Sequence, residues 1–149
     1  VGYISDIGDS DSLYPLVDGK DRVGGLALST LYEAGSWTLI AEYVAATQSF
    51  DENAGADLAG QSPAAWMLEA AYQFELLDKQ AQIALGYQGT REALALELPE
   101  ARGLVTFNLG IYQYTTLQLE WVLDRDYGES AGGTGNTGNA FAAQVAVAF

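Results

Sequence analysis

The chain has 149 residues, a formal net charge of −14 and 49% hydrophobic residues, an apolar content foreign to acidic disordered chains, so it either buries a surface or meets lipid. It contains no Cys and no His, which removes disulfides, thiol chemistry, most zinc sites and every catalytic arrangement that needs imidazole as its base. With 20 acidic against 6 basic residues it also lacks the basic stripe that a nucleic-acid partner demands, and cations or metal complexes fit the sign better.

Alternation of apolar and polar residues predicts about eight strands, at 1–7, 23–32, 36–47, 64–74, 80–88, 103–112, 116–126 and 140–149. Helical periodicity competes nowhere. Short links, "EAG" at 33–35, "ELLDK" at 75–79 and "QYT" at 113–115, alternate with long ones at 8–22, 48–63, 89–102 and 127–139. The long links hold most of the charge and the turn formers, as in "GDSDS", "DENAGAD" and "GESAGGTGNTGN". A meander with one tight-turned end and one long-looped end has the asymmetry of outer-membrane barrels, whose periplasmic turns are short, and in that register the C-terminus is periplasmic. No run offers the roughly 20 apolar residues of a spanning helix. The longest uncharged stretch, 103–119, is broken by Thr106, Asn108, Gln113, Thr115, Thr116 and Gln118, so any crossing is expected to be made by strands.

The two faces of these strands differ. One carries Trp37, Leu39, Ala41, Tyr43 and Ala45, then Trp66, Leu68, Ala70, Tyr72 and Phe74, then Ala81, Ile83, Leu85 and Tyr87. It continues with Leu117, Leu119, Trp121 and Leu123, and with Phe141, Ala143, Val145, Val147 and Phe149. None is charged, as expected of a surface in acyl chains, where Arg or Lys at mid-depth costs about 2–4 kcal/mol. The other face carries Glu42, Glu69, Gln82, Asn108, Gln118, Glu120 and Gln144 as candidate lumen-facing residues, with Thr38, Gln73, Gln88, Thr106 and Asp124 and many Ala and Gly between them. A soluble sandwich or lipocalin-like barrel is the competing reading of alternation alone. Such a sheet shows water a Lys- and Glu-studded face, whereas this one is amide, hydroxyl and small.

Aromatic residues supply a ruler. Trp66 and Phe74, like Phe141 and Phe149, lie eight residues apart on one face. At about 3.3 Å per residue and a tilt near 40° that spans roughly 20 Å of membrane normal, close to an apolar band of about 25 Å. Trp37, Tyr32, Tyr112 and Tyr114 flank the short links, and Tyr43, Tyr87, Trp121 and Tyr127 approach the long ones, so two interfacial belts are expected. The first strand is short, the inward positions are small, and no inward Lys or Arg deep in the strands neutralises Glu42, Glu69 and Glu120. A packed narrow barrel would make those carboxylates costly and a water-filled lumen would not. The fold expected is therefore an all-β, antiparallel up-and-down transmembrane β-barrel. Residues 1–149 are expected to form one incomplete domain, the C-terminal half of a larger pore. Because the sequence opens on Val1 without an initiator Met or a cleavable apolar stretch, any signal peptide is expected upstream.

Few motifs carry chemistry. Asp6, Asp9 and Asp11 cluster in "DIGDSDS", but the Gly and the bidentate Glu of an EF-hand are missing, so the loop reads as solvated. "GGTGNTGN" at 132–139 follows no βα context and precedes no Lys, so it is not a phosphate cradle. Glu42, Glu69 and Glu120 either bias a permeation path toward cations or are simply hydrated in passing. Arg91, Arg102 and Arg125 lie near Glu92, Glu97, Glu100, Asp124 and Asp126, where local ion pairing is expected. No catalytic residue, metal ligand or cofactor site emerges, and the protein is read as a pore and not an enzyme.

In "TLIAEYVAATQSFD" (38–51), "SPAAWMLEAAYQF" (62–74), "IALGYQGTREALALELPEARGLVTFNLGIYQYTTLQLEWVLDRDYG" (83–128) and the closing "AQVAVAF", the chain resembles the C-terminal part of the LbtU-type siderophore porins of gammaproteobacteria. "ALGYQGTREALALELPEAR" is the most distinctive stretch. The resemblance covers almost the whole chain. It implies an outer-membrane barrel of about twice this strand number, with an N-terminal periplasmic segment and no plug domain, that takes up ferric siderophore. The expected partners are the lipid bilayer and lipopolysaccharide, a ferric siderophore or other small solute, and the barrel-assembly machinery acting through the last strand, whose terminal Phe resembles an assembly signal. The bacterial outer membrane is the expected location. A general diffusion porin and a small structural eight-stranded barrel are the alternatives.

Overall fold

Period-two patterning dominates the fold. In the computed structural model, which describes residues 1–7, 13, 22–51 and 58–148, the chain forms β1 (Gly2–Ile4), β2 (Gly25–Ala34), β3 (Trp37–Ala46), β4 (Ala64–Leu76), β5 (Lys79–Arg91), β6 (Ala101–Tyr112), β7 (Thr115–Arg125) and β8 (Thr137–Val147). They pair antiparallel in sequence order as one eight-stranded sheet. Among the described residues the rest of the regular structure is two single turns of 3₁₀-helix, Leu94–Leu96 and Glu129–Ala131. β1 and β8 are the two ends of the sheet and do not pair with each other, so the sheet is open. β1 is also short and covers only the Gly25–Ala27 end of β2. Phe149, Asp9, Asp11 and most of the first long link lie outside the described residues.

The hairpins are tighter than the short links suggested. β4 and β5 run to Leu76 and from Lys79 because Leu77 and Asp78 make the whole turn, with φ of 51° and 57°. Left-handed backbone at both central residues is the type I′ geometry, whose twist matches that of the strands. Gly35, at φ 59°, serves the β2–β3 turn, where the absence of a Cβ removes the steric cost.

Register carries the alternation across every strand. Opposite one another stand Leu28, Tyr43, Trp66 and Gly89, then Ala41, Leu68, Tyr87 and Gly103, then Ala70, Leu85, Val105, Trp121 and Phe141. The apolar positions of all strands therefore share one face. A bulge between Gly110 and Tyr112 shifts the β6–β7 register, brings Tyr112 opposite Thr115 and so turns it onto the apolar side, which strict alternation from Gly110 would not do. Mid-sheet, Ala71 and Ala84 on the polar face are buried, while Leu68 and Leu85 on the apolar face are exposed.

Trp66 fills the space beside Gly89, its cross-strand partner, where a Cβ would collide with the indole. Gly89→Ala is expected to force Trp66 out of its packing on Tyr87, whose ring centroid lies 5.2 Å away, at a cost of about 1–3 kcal/mol. Tryptophan emission and the urea midpoint of the refolded chain check this.

Candidate functional site

The polar face is the candidate site, and the register sorts its residues into rows. Below the row of Ala27, Val44, Ala65 and Thr90 at the long links, Glu42, Met67, Gln88, Arg102 and Asp124 form the first charged row. Next come Leu31, Ile40, Glu69, Gly86, Leu104 and Val122, a mainly apolar row holding one carboxylate. Thr38, Ala71, Ala84, Thr106 and Glu120 follow, and then Gln73, Gln82, Asn108, Gln118 and Gln144, a row of five amides. Within that last row Asn108 Nδ2 donates to Gln82 Oε1 at 3.3 Å. All seven candidates, Glu42, Glu69, Gln82, Asn108, Gln118, Glu120 and Gln144, thus lie on one face, four of them in a single row.

Patterning missed two parts of this face. Arg102, assigned from sequence to a long link, is the second residue of β6 and lies on the polar face, where its guanidinium grips Asp124 through two bonds of 2.6 and 2.9 Å. The expected local pairing is present there and in Arg125–Glu100 at 3.2 Å. The apolar row around Glu69 also escaped, since Leu31, Ile40, Leu104 and Val122 were not sorted by face.

The long links fold over the end of this surface. Leu13, Val23, Phe50 and Leu58 form a buried cluster, joined by Ile7, Ala46, Ala95 and Leu96, so the links after β1, β3 and β5 meet in one apolar cap. Backbone bonds hold it, among them Ile7 N–H to Val23 O at 2.8 Å, Thr47 N–H to Gly24 O at 2.8 Å and Phe50 N–H to Gln61 O at 2.9 Å. Beneath the cap runs an apolar cleft of about 480 Å³, lined by Ala27, Val44, Ala46 and Ala65 from the polar face and by Ile7, Leu13 and Leu96 from the links.

The link after β7 is tied to the link after β5. Tyr127 is buried, its hydroxyl 2.6 Å from Thr90 Oγ1 and accepting from Ala93 N–H at 3.2 Å. Its expected place in an exposed aromatic belt is therefore corrected: a phenol with two partners under the links gains more from burial than from the surface. Asp126 accepts from the Thr134 hydroxyl at 2.6 Å and from the Thr134 and Tyr127 amides at 2.8 Å each. These bonds, the Thr134 hydroxyl foremost, hold its carboxyl below the usual aspartate range. A lowered folded-state value stabilises above the unfolded aspartate value of about 4 and is lost as pH falls through it. Protection of the amides in 126–136, taken relative to their intrinsic exchange at each pH, is expected to persist at neutral pH and to fall below about pH 4 in the wild type, with Asp126→Asn already lowering it at pH 7.

The apolar face is uncovered. Trp37, Tyr43, Trp66, Tyr87, Trp121 and Phe141 are all exposed, Phe141 at 69% and Leu85 at 57%, and Phe74 is half-buried. Two groups lie toward the ends of the strands, while Trp121 and Phe141 face each other in the mid-sheet row of Leu85 and Val105. Near the short turns Trp37 meets Tyr72 at a tilt, centroids 4.8 Å apart, and Tyr72 stacks on Phe74 at 6.1 Å. Tyr43, Trp66 and Tyr87 cluster near the long links. Among the described residues no group of His, Cys, Asp or Glu could hold a metal ion, and no helix is long and apolar enough to cross a membrane.

The chain is similar to a UPF0422 protein of Coxiella burnetii, 34% identical over 129 residues that make up 85% of this chain and 26% of that protein. It is similar to UPF0422 proteins of Legionella pneumophila strains Paris and Philadelphia 1, each 33% identical over 129 residues, 76% of this chain and 24% of the relative. The chain thus spans about a quarter of the length of these curated relatives. No protein-family model matches it, and no solved structure matches it significantly.

Proposed function

We propose that this chain is a section of an outer-membrane β-barrel whose apolar face meets acyl chains and whose polar face lines a lumen that takes up ferric siderophore. One observation carries the reading. A face that is uncharged between Lys79, Arg91 and Arg125 at the strand ends, with aromatic clusters toward both ends, lies open where a water-soluble protein would cover it. Contiguous apolar exposure on this scale marks a surface that meets protein or lipid, and two aromatic levels favour lipid. The open edges of β2 and β8 then need strands beyond these eight, because unpaired N–H and C=O groups find no partner in hydrocarbon. Relatives more than three times as long leave room for them.

The siderophore comes from the resemblance to LbtU-type porins. The polar face adds a preference of sign, since Glu33, Glu42, Glu69, Glu75, Glu120 and Asp124 share it with Arg102 as its cation. No bond is made or broken in such passage; selection rests on binding and diffusion.

The reading is tested by expressing the full-length protein, extracting membranes with urea and with alkali, and comparing mobility with and without heating. Loss into the aqueous fraction sinks it. Competition between iron-loaded siderophore and small sugars separates a receptor from a general diffusion porin, and absence of single-channel current would leave a filled structural barrel. Each carboxylate at contact distance contributes up to about 1 kcal/mol to a passing cation in water. Glu42→Gln, Glu69→Gln and Glu120→Gln combined are therefore expected to lower the cation-to-anion permeability ratio on the order of tenfold, read as a reversal potential moving toward zero.

A further inference from the structure

We propose that the cleft under the cap binds the apolar group of an organic cation whose charged end is held by Glu42. The cleft encloses about 480 Å³, within the size of small-molecule sites, and its room comes from short side chains, Ala27, Ala46 and Ala65, on the sheet floor. Asp6 is the charged residue on its lining, and it already faces Arg22 at 3.9 Å. Val44, Ala65 and Leu98 border both this cleft and a second hollow of about 250 Å³ that contains Glu42, Gln88 and Arg102. The two are therefore halves of one site, one apolar and one polar.

Charge fixes the polar half. Arg102 is already held by both oxygens of Asp124 and lies three strand spacings from Glu42, roughly 14 Å. Glu42 is exposed, two residues along the strand from Val44 on the same face, and has no hydrogen bond or ion pair among the described residues. An anion would meet Glu42 at one end and, at the other, a mainly apolar wall whose charged residue is Asp6. A cation with an aryl or short alkyl group satisfies both halves. The proposal rests on the reading of the polar face as a lumen open to solute, and it narrows the solute that enters.

The chain has no Cys, so Val44→Cys places a single thiol where the two hollows meet. The full-length protein carrying this substitution, with any cysteine outside these residues replaced, is reconstituted into phosphatidylcholine vesicles, and the rate of maleimide labelling is followed with benzyltrimethylammonium and with tetramethylammonium. Burial of the phenyl ring is expected to let the benzyl ion slow labelling at a concentration about tenfold or more below that of tetramethylammonium. Adding Glu42→Gln is expected to raise the benzyl concentration needed several-fold. Equal potency of the two ions, or no effect of Glu42→Gln, overturns the proposal. Alkaline extraction of the same vesicles reports on the membrane separately. Protein that washes off yet keeps the benzyl preference supports the cleft and sinks the barrel; protein that stays inserted with equal potencies does the reverse.

Discussion

Leu85→Arg is expected to lower the stability of the chain in a bilayer by about 2–4 kcal/mol. Leu85 lies mid-strand in β5, opposite Ala70 and Val105, on the uncharged face and 57% exposed. In acyl chains its replacement must strip the guanidinium of water or drag it toward the headgroups. On a face that met water, the same exposed substitution would stay within about 0.5 kcal/mol. The two environments thus differ several-fold in outcome at one position. Gln82→Arg, on the opposite face of the same strand, is the control and is expected to change little, because a hydrated lumen leaves the charge solvated. Urea titrations in vesicles, followed by tryptophan emission, measure both. A Leu85→Arg midpoint equal to that of the wild type would sink the lipid contact.

Phe50→Ala is expected to loosen the cap by about 3–5 kcal/mol, the usual cost of emptying a buried phenylalanine site. Phe50 is 2% exposed and packs with Leu58 of its own link and with Leu13 and Val23 of the link after β1. The loss should be local. The strands draw on their own ladders and pairings, so the cap can open while the sheet persists. Amide exchange at Phe50 and Gln61, whose N–H groups are bonded within the link, should rise at least about a hundredfold while exchange in β4–β7 stays unchanged. In the proposed pore the same change should raise conductance, since the cap overlies the end of the polar face. Unaltered exchange in 47–63 would mean that the cluster does not hold the links.

Much of this was legible because a strand's side-chain period is local. Given that Trp66 and Leu68 share a face, so do Ala70, Tyr72 and Phe74, whatever the strand pairs with, and in-register hairpins carry that assignment to the next strand. All eight strands were placed, and the seven polar candidates fell together on one face. Strand ends were less accurate where turn chemistry is unusual. Leu77 and Asp78 are poor type I′ residues by composition, so "ELLDK" looked longer than its two-residue turn.

The sequence by itself determined the number of strands, the partition of their residues between an apolar and a polar face, and the division into short turns and long links. All of these follow from side-chain alternation and from turn-forming residues adjacent in the chain. Only the tertiary structure decided that nothing packs on the apolar face among the described residues, that a bulge returns Tyr112 to it, that Tyr127 is buried under the links, and that Phe50, Leu58 and Val23 pack with Leu13, which lines an apolar cleft at the end of the polar face. Those features depend on residues far apart in the chain meeting at fixed distances, and a periodicity of two residues holds no record of which link folds against which.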